Sequence, residues 1–168
     1  MVRVAQYHSD VLFLVAGVNN LPVELYDICK GVSNVMVVFE KVYDILSVSQ
    51  TAIVTSGTAT LETALWKVPQ VVVYKANLRI SYWIARMVVR VKFISLVNLI
   101  ADREVVKELV QDQFNEKILL AEFEKILNDT GIRNEISRSY DEIEQKLGHD
   151  IASDKAAILM AGYLQVKN

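Results

Sequence analysis

The stretch Thr51–Tyr74, TAIVTSGTATLETALWKVPQVVVY, decides the fold. Its opening run, Thr51–Thr55, is rich in β-branched residues and apolar on both faces, which is how a buried parallel strand reads. Ser56 and Gly57 interrupt the run, Thr58–Lys67 follows with a helical pattern, and Val71–Tyr74 is a second run apolar on both faces. A strand, a glycine turn, a helix and a strand in succession imply a βαβ unit, whose crossover is right-handed in nearly every known case.

The same rhythm extends toward the N-terminus. Val11–Ala16 (VLFLVA) and Val35–Phe39 (VMVVF) read as two more strands, with helical patterns at Pro22–Lys30 and Lys41–Val48, the first opening on proline as helices often do. The sequence therefore predicts an α/β fold: a doubly wound, mostly parallel sheet flanked by helices. After Tyr74 the pattern changes. Ser81–Val91 is apolar with Arg86 and Arg90 inside it, Phe93–Leu96 reads as one more short strand, and Arg103–Val110, Asn115–Leu127, Gly131–Leu147 and Ile151–Tyr163 read as C-terminal helices. No internal repeat or flexible linker is visible, and a single domain over residues 1–168 is expected. Met1–Tyr7 reads as the end of a helix already under way, whereas a doubly wound domain ordinarily opens on a strand and a phosphate-binding loop. The expectation is a domain without its first strand.

Composition narrows the function. A chain of 168 residues, 52% of them apolar, fits one domain able to bury roughly two-thirds of its unfolded surface. One cysteine, Cys29, rules out an internal disulfide and suits a reducing compartment. It falls in an amphipathic stretch with Leu25 and Ile28, and core packing is the expected fate of such a thiol. Met1–Asp10 is polar, with no basic region leading into an apolar run, so no secretory leader is expected. A net charge of −2 excludes a general nucleic-acid binder, which needs a strong cationic field.

The distribution of that charge is uneven. Thr63–Ala101 contains no acid, yet holds Lys67, Lys75, Arg79, Arg86, Arg90 and Lys92. Within it, Ile80–Ala101 is nearly apolar enough for a membrane span. Its three central cations would each cost at least ~2.5 kcal/mol at the bilayer centre, which rules a span out. Two readings remain: a helix packed on the sheet or at a subunit contact, or a surface-lying basic amphipathic helix with Tyr82 and Trp83 at one end.

The residues that point to chemistry are Thr55–Glu62, TSGTATLE. In a doubly wound sheet the carboxyl end of the preceding strand faces the ligand crevice. Gly57 lets the backbone approach a ligand, and free N–H groups at the helix start, with the Ser56 and Thr58 hydroxyls, suit a diphosphate. Glu62 lies one turn in; because helical side chains lean toward the N-terminus, its carboxylate is aimed back at the crevice, where a ribose diol would donate to it. The competing reading is a plain helix cap by Ser56 or Thr58. Glu62 stands three residues after neither, so a capping box does not explain it.

The runs SGTATLETALWKVPQVVVYK and SYWIARMVVRVKFISLVNLIADREVVKELVQ, in this order, closely resemble the C-terminal half of lipid A disaccharide synthases. These are bacterial glycosyltransferases of the two-domain GT-B type. The resemblance is strong over Lys41–Gln113 and looser on the flanks. It implies a Rossmann-like half of such an enzyme, cytoplasmic and peripheral at the inner membrane of a Gram-negative bacterium, serving lipopolysaccharide synthesis. The implied reaction transfers 2,3-diacylglucosamine from its UDP-linked donor to 2,3-diacylglucosamine 1-phosphate with inversion, giving the tetraacyl disaccharide phosphate and UDP, with no metal or cofactor.

By the same resemblance Ser56, Gly57, Thr58 and Thr60 cradle the diphosphate and Glu62 the ribose. Asn98 stands at the mouth of the cleft, Arg103 offers a fork suited to phosphate, and Gln111 closes the motif. Arg103, between Asp102 and Glu104, also reads as a solvated helix start, and Gln111 as a surface residue. No catalytic residue is expected within this chain, since the family's acid/base groups belong to the N-terminal, acceptor-binding domain; the chain alone is expected to be inactive. Further implied partners are a membrane surface of anionic lipids and a second copy exchanging C-terminal helices in a domain-swapped homodimer. His8 and His149 stand apart from any metal-ligand spacing and read as surface histidines. The alternatives are the UDP-sugar domain of another GT-B enzyme and a non-catalytic oligomerisation module.

Overall fold

A computed structural model describes residues 1–75, 92–148, 160 and 161. Its centre is β4 (Gln70–Tyr74), a strand whose first four residues are all buried. Parallel to it on one side runs β3 (Ala52–Thr55), with Ala52 opposite Gln70, and on the other β5 (Lys107–Val110), with Lys107 opposite Val71. A second parallel pair joins β1 (Phe13–Gly17) to β2 (Val35–Phe39), Phe13 lying opposite Val35. The strands thus form two sheets, β1-β2 and β3-β4-β5. Gly17 is required where β1 meets β2, since a Cβ there would stand 2.8 Å from the Phe39 ring.

The expected α/β architecture is present, with the four N-terminal strands close to where the β-branched runs put them. Between them lie α2 (Val42–Val48) and α3 (Thr58–Leu65), following α1 (Val2–Tyr7) at the start. Pro22–Lys30 is a 3-10 helix over Val23–Cys29 rather than an α-helix, and only Cys29 of it is buried. The chain after Lys92 departs further from expectation. Phe93–Leu96 is not a strand: Ser95 caps a short helix, α4 (Leu96–Ala101), by accepting from the Asn98 N–H. Arg103–Val110 is not a helix, because Lys107–Val110 pairs with the open side of β4. Ladder bonds along β4 outweigh the local pattern, and Lys107 is tolerated because β5 is an edge strand among the described residues. Ser81–Val91, His149 and most of Ile151–Tyr163 lie outside the described residues; Met160 and Ala161 are helical.

Two amphipathic helices close one face. Asn115 caps α5 (Glu116–Asn128) and Asp129 caps α6 (Thr130–Leu147), each side chain accepting from the third following N–H. Leu119, Phe123 and Ile126 on α5, and Ile136, Tyr140 and Ile143 on α6, join Val71–Val73, Val97 and Leu109 in one core. Each such side chain stabilises the fold by about 1.5–3 kcal/mol relative to exposure. β1 enters this core through Phe13, whose ring centroid lies 5.6 Å from that of Phe123. His8 does not lie on the surface as expected: only 15% of its side chain is exposed, it packs edge-on to Phe123, and its Nε2 is 3.4 Å from Glu124.

The end of α3 shows how local strain is offset by tertiary contact. Lys67 takes a left-handed φ of 59°, and the bonds Lys67 N–H to Ala64 and Val68 N–H to Thr63 close the helix before Pro69. A lysine there is less favourable than glycine. Its ammonium, however, lies 2.6 Å from both Asp141 and Glu144 of α6, fastening the helix end across the domain.

Candidate functional site

The turn after β3 is built by backbone first. Ser56 N–H donates to Val73 at 3.1 Å, prolonging the ladder by one residue, and Gly57 then adopts φ 151°, a region in effect reserved for glycine. Among the described residues, a Cβ at Gly57 would meet nothing within 4 Å. No side chain caps α3. Ser56 instead donates its hydroxyl to the Ile94 carbonyl at 2.8 Å, and buried Thr60 donates its own to Gly57 at 2.8 Å. Among the described residues, the N–H groups of Gly57, Thr58 and Ala59 meet no acceptor. Three donors without a partner among the described residues, at the positive end of a helix dipole, are an arrangement suited to an anion.

Glu62 shares a helix face with Thr58, four residues earlier. It is half-buried and lines a depression of about 340 Å³ with Tyr43, Leu65 and Trp66. The Tyr43 and Trp66 rings are stacked, 5.8 Å between centroids and 21° between planes. Gln111 follows β5 at the same carboxyl edge of the sheet, half-buried, with a left-handed φ of 52°. Among the described residues, no group of His, Cys, Asp and Glu converges to hold a metal ion.

The second motif divides. Asn98 is wholly buried and every slot of its amide is used: Oδ1 accepts from Val105 and Val106 N–H at 2.8 and 3.0 Å, and Nδ2 donates to Val106 and Glu108, both at 2.8 Å. It knits α4 to the start of β5 instead of facing a cleft. Arg103 precedes β5 and so lies toward the amino edge of the sheet, away from the turn. Its guanidinium reaches Ser139 at 3.1 Å and Glu142 at 2.7 Å, so the expected phosphate fork is engaged with α6. There it borders a cavity of about 260 Å³ with fully buried Gln70, whose Nε2 donates to Thr60 and Tyr140.

Ser56, Gly57, Thr58 and Thr60 thus share the turn, with the Ser56 and Thr60 hydroxyls engaged at Ile94 and Gly57, Glu62 lies one helical turn on beside Tyr43, Leu65 and Trp66, Gln111 shares their edge of the sheet, and Asn98 and Arg103 are engaged elsewhere. The cationic window is partly neutralised, since Lys67 is paired with Asp141 and Glu144, and Lys92 lies 3.4 Å from Asp102. Arg79, Arg86 and Arg90 fall outside the described residues. Sequence reasoning missed Glu108, which gathers donors from Ile94, Ser95 and Asn98. An acid in a segment with helical spacing carries no signal of that role.

Parallel strands joined by helices, with a Ser-Gly turn at their carboxyl edge, define a Rossmann-like α/β domain. The family model of lipid-A-disaccharide synthetase matches residues 10–161, and the chain belongs to the lipid-A-disaccharide synthase family. The synthase of Syntrophus aciditrophicus (strain SB) is 39% identical over 117 residues, which is 70% of this chain and 30% of that protein. That of Myxococcus xanthus (strain DK1622) is 37% identical over 114 residues, 68% of this chain and 30% of that protein. Anaeromyxobacter dehalogenans (strain 2CP-1) has one 32% identical over 166 residues, 97% of this chain and 43% of that protein. The chain spans less than half the length of these relatives. No helix among the described residues is long and apolar enough to cross a membrane.

Proposed function

We propose that this chain is the nucleotide-sugar-binding half of a glycosyltransferase of lipid A biosynthesis. In this reading it binds the UDP-linked 2,3-diacylglucosamine donor, and a second half holds 2,3-diacylglucosamine 1-phosphate. The observation that carries the reading is the start of α3, which among the described residues has no side-chain cap and three open N–H groups, beside a glycine with no described atom in its way. The N–H groups of Gly57, Thr58 and Ala59 hold the diphosphate, Ser56 anchors the turn through Val73 and Ile94, Thr60 braces the Gly57 carbonyl from behind, Glu62 accepts from the ribose diol and Gln111 closes the edge. Asn98 supports the site from within. The N–H groups also meet the charge that develops on the departing UDP, which is where electrostatic stabilisation speeds transfer. The base that activates the acceptor hydroxyl belongs to the other half, so the chain alone is inactive and the anomeric centre inverts in the complete enzyme. Peripheral binding at the cytoplasmic face of the inner membrane, and a homodimer exchanging C-terminal helices, belong to the same proposal.

Calorimetric titration with UDP tests it. Binding by the parent that weakens about tenfold in Glu62→Ala, as expected for loss of a charge-assisted hydrogen bond, supports the reading; a folded parent that takes up no UDP contradicts it. A second reading, an assembly module, draws on the 3-10 segment, where Val23, Leu25 and Ile28 are 60%, 60% and 71% exposed. Light scattering that finds a monomer at high concentration would remove it.

A further inference from the structure

Glu108 pairs with no cation among the described residues, yet its carboxylate accepts four hydrogen bonds. Oε2 accepts from the Ile94 N–H at 2.8 Å, while Oε1 accepts from the Ser95 N–H at 3.0 Å, the Ser95 hydroxyl at 2.7 Å and the Asn98 amide at 2.8 Å. An ionised carboxylate offers about four acceptor sites, and here one short segment supplies four donors, three of them to Oε1. That segment is also fastened to the turn, because the Ile94 carbonyl accepts from the Ser56 hydroxyl at 2.8 Å. Residue 94 therefore has its N–H held by Glu108 and its C=O holding Ser56.

We propose that Glu108 is a positioning residue for the Ser56-Gly57 turn, acting through Ile94 to keep the open N–H groups of α3 aimed at one point in space. Its consequence for ligand binding rests on the nucleotide-sugar reading of that turn. Charge is part of the device: hydrogen bonds to a carboxylate are roughly twice as strong as neutral ones, so segment 94–98 is held more firmly than an amide would hold it. Glutamine has the same shape but turns one oxygen into a donor, which then faces the N–H of Ile94 or Ser95. The segment must shift, and Ser56 with it.

The test is a double-mutant cycle on the chain, with folding checked by circular dichroism and thermal unfolding. Glu108→Gln is expected to weaken UDP binding about tenfold, and to have no further effect in a Ser56→Ala background, because the two residues act through one link. Parent-like affinity in Glu108→Gln, or losses that multiply in the double variant, would overturn the proposal. If Glu108→Gln does not fold, Ser95→Ala serves, removing side-chain bonds while leaving the carboxylate; about a threefold loss is expected, and none would overturn it. If the parent takes up no UDP, the nucleotide-sugar reading fails and hydrogen exchange decides the positioning role. The amides of residues 56–59 are then expected to exchange about tenfold faster in Glu108→Gln at unchanged global stability, and equal exchange would refute the role.

Discussion

Single residues carry the steepest constraints at the turn. Gly57 has room for a methyl group but a φ of 151° that no other residue adopts comfortably, so Gly57→Ala is opposed by backbone strain alone. A loss of about 1–3 kcal/mol in urea unfolding is expected, with UDP binding reduced as the turn relaxes. Glu62 is the opposite case: half-buried and without a hydrogen-bond partner among the described residues, it does little for the fold, and Glu62→Ala should leave the unfolding midpoint unchanged. Asn34 is a third kind of residue. Its Nδ2 donates to the Ala5, His8 and Val11 carbonyls at 2.9, 2.8 and 3.0 Å, tying the end of α1 to β2. The Ala5 and His8 carbonyls also accept from the His8 and Val11 N–H groups, so Asn34→Ala removes three bonds and leaves the Val11 carbonyl without a partner among the described residues; it should cost about 1–3 kcal/mol by the same assay.

Elements are held by a mixture of core and charge, and Lys67 separates the two. Burial pulls its ammonium toward a lower pKa, but its hydrogen bonds to Asp141 and Glu144, together with their negative charge, outweigh this and raise it above the ordinary lysine value of 10.5. A raised folded-state value means the contribution is fully present below pH 10.5 and is lost as pH climbs through the higher folded value. Lys67→Met should therefore destabilise by about 1 kcal/mol at pH 7, solvent screening included, and the gap to the parent should close above that range. A gap that persists at high pH would assign the effect to packing of the lysine stem.

Which elements could be read in advance follows from the same forces. β4 stands out because a strand covered on both faces needs an unbroken β-branched run, β2 and β3 because they carry such runs although only partly covered, and α5 and α6 because one-sided burial imposes a stripe. β5 does not. Val105, Val106, Leu109 and Val110 recur at helical spacing; Lys107 is tolerated because the strand lies at the edge of the described sheet, and Glu108 because donors of residues 94–98 meet its carboxylate. The Val23–Cys29 segment carries helical apolar spacing, but little packs against it, and it winds as a 3-10 helix. At the site, Ser56, Gly57 and Glu62 were legible because a glycine punctuates strand and helix in sequence. The tie from Glu108 through Ile94 to Ser56 was not, since it exists only once distant segments meet. Arg103 misled for the same reason: its partners Ser139 and Glu142 lie far along the chain.

On the scale of the whole molecule, the unequal burial of the strands is the main feature. β4, with neighbours on both sides, is buried, whereas β3 is only partly covered and β1 and β2 form a separate pair. Phe13 nevertheless joins the common core, so the two sheets share one hydrophobic interior. The carboxyl edge of β3 carries the uncapped turn and that of β5 carries Gln111, which concentrates binding capacity on one rim. The opposite rim is filled by ion pairs to α6. The most direct test of this division is a nuclear magnetic resonance titration of the nitrogen-labelled chain with UDP. The account predicts the largest amide shifts at Gly57, Thr58 and Ala59, with smaller ones at Glu62 and Gln111. Shifts centred on the Arg103 cavity, or none at the turn, would contradict it.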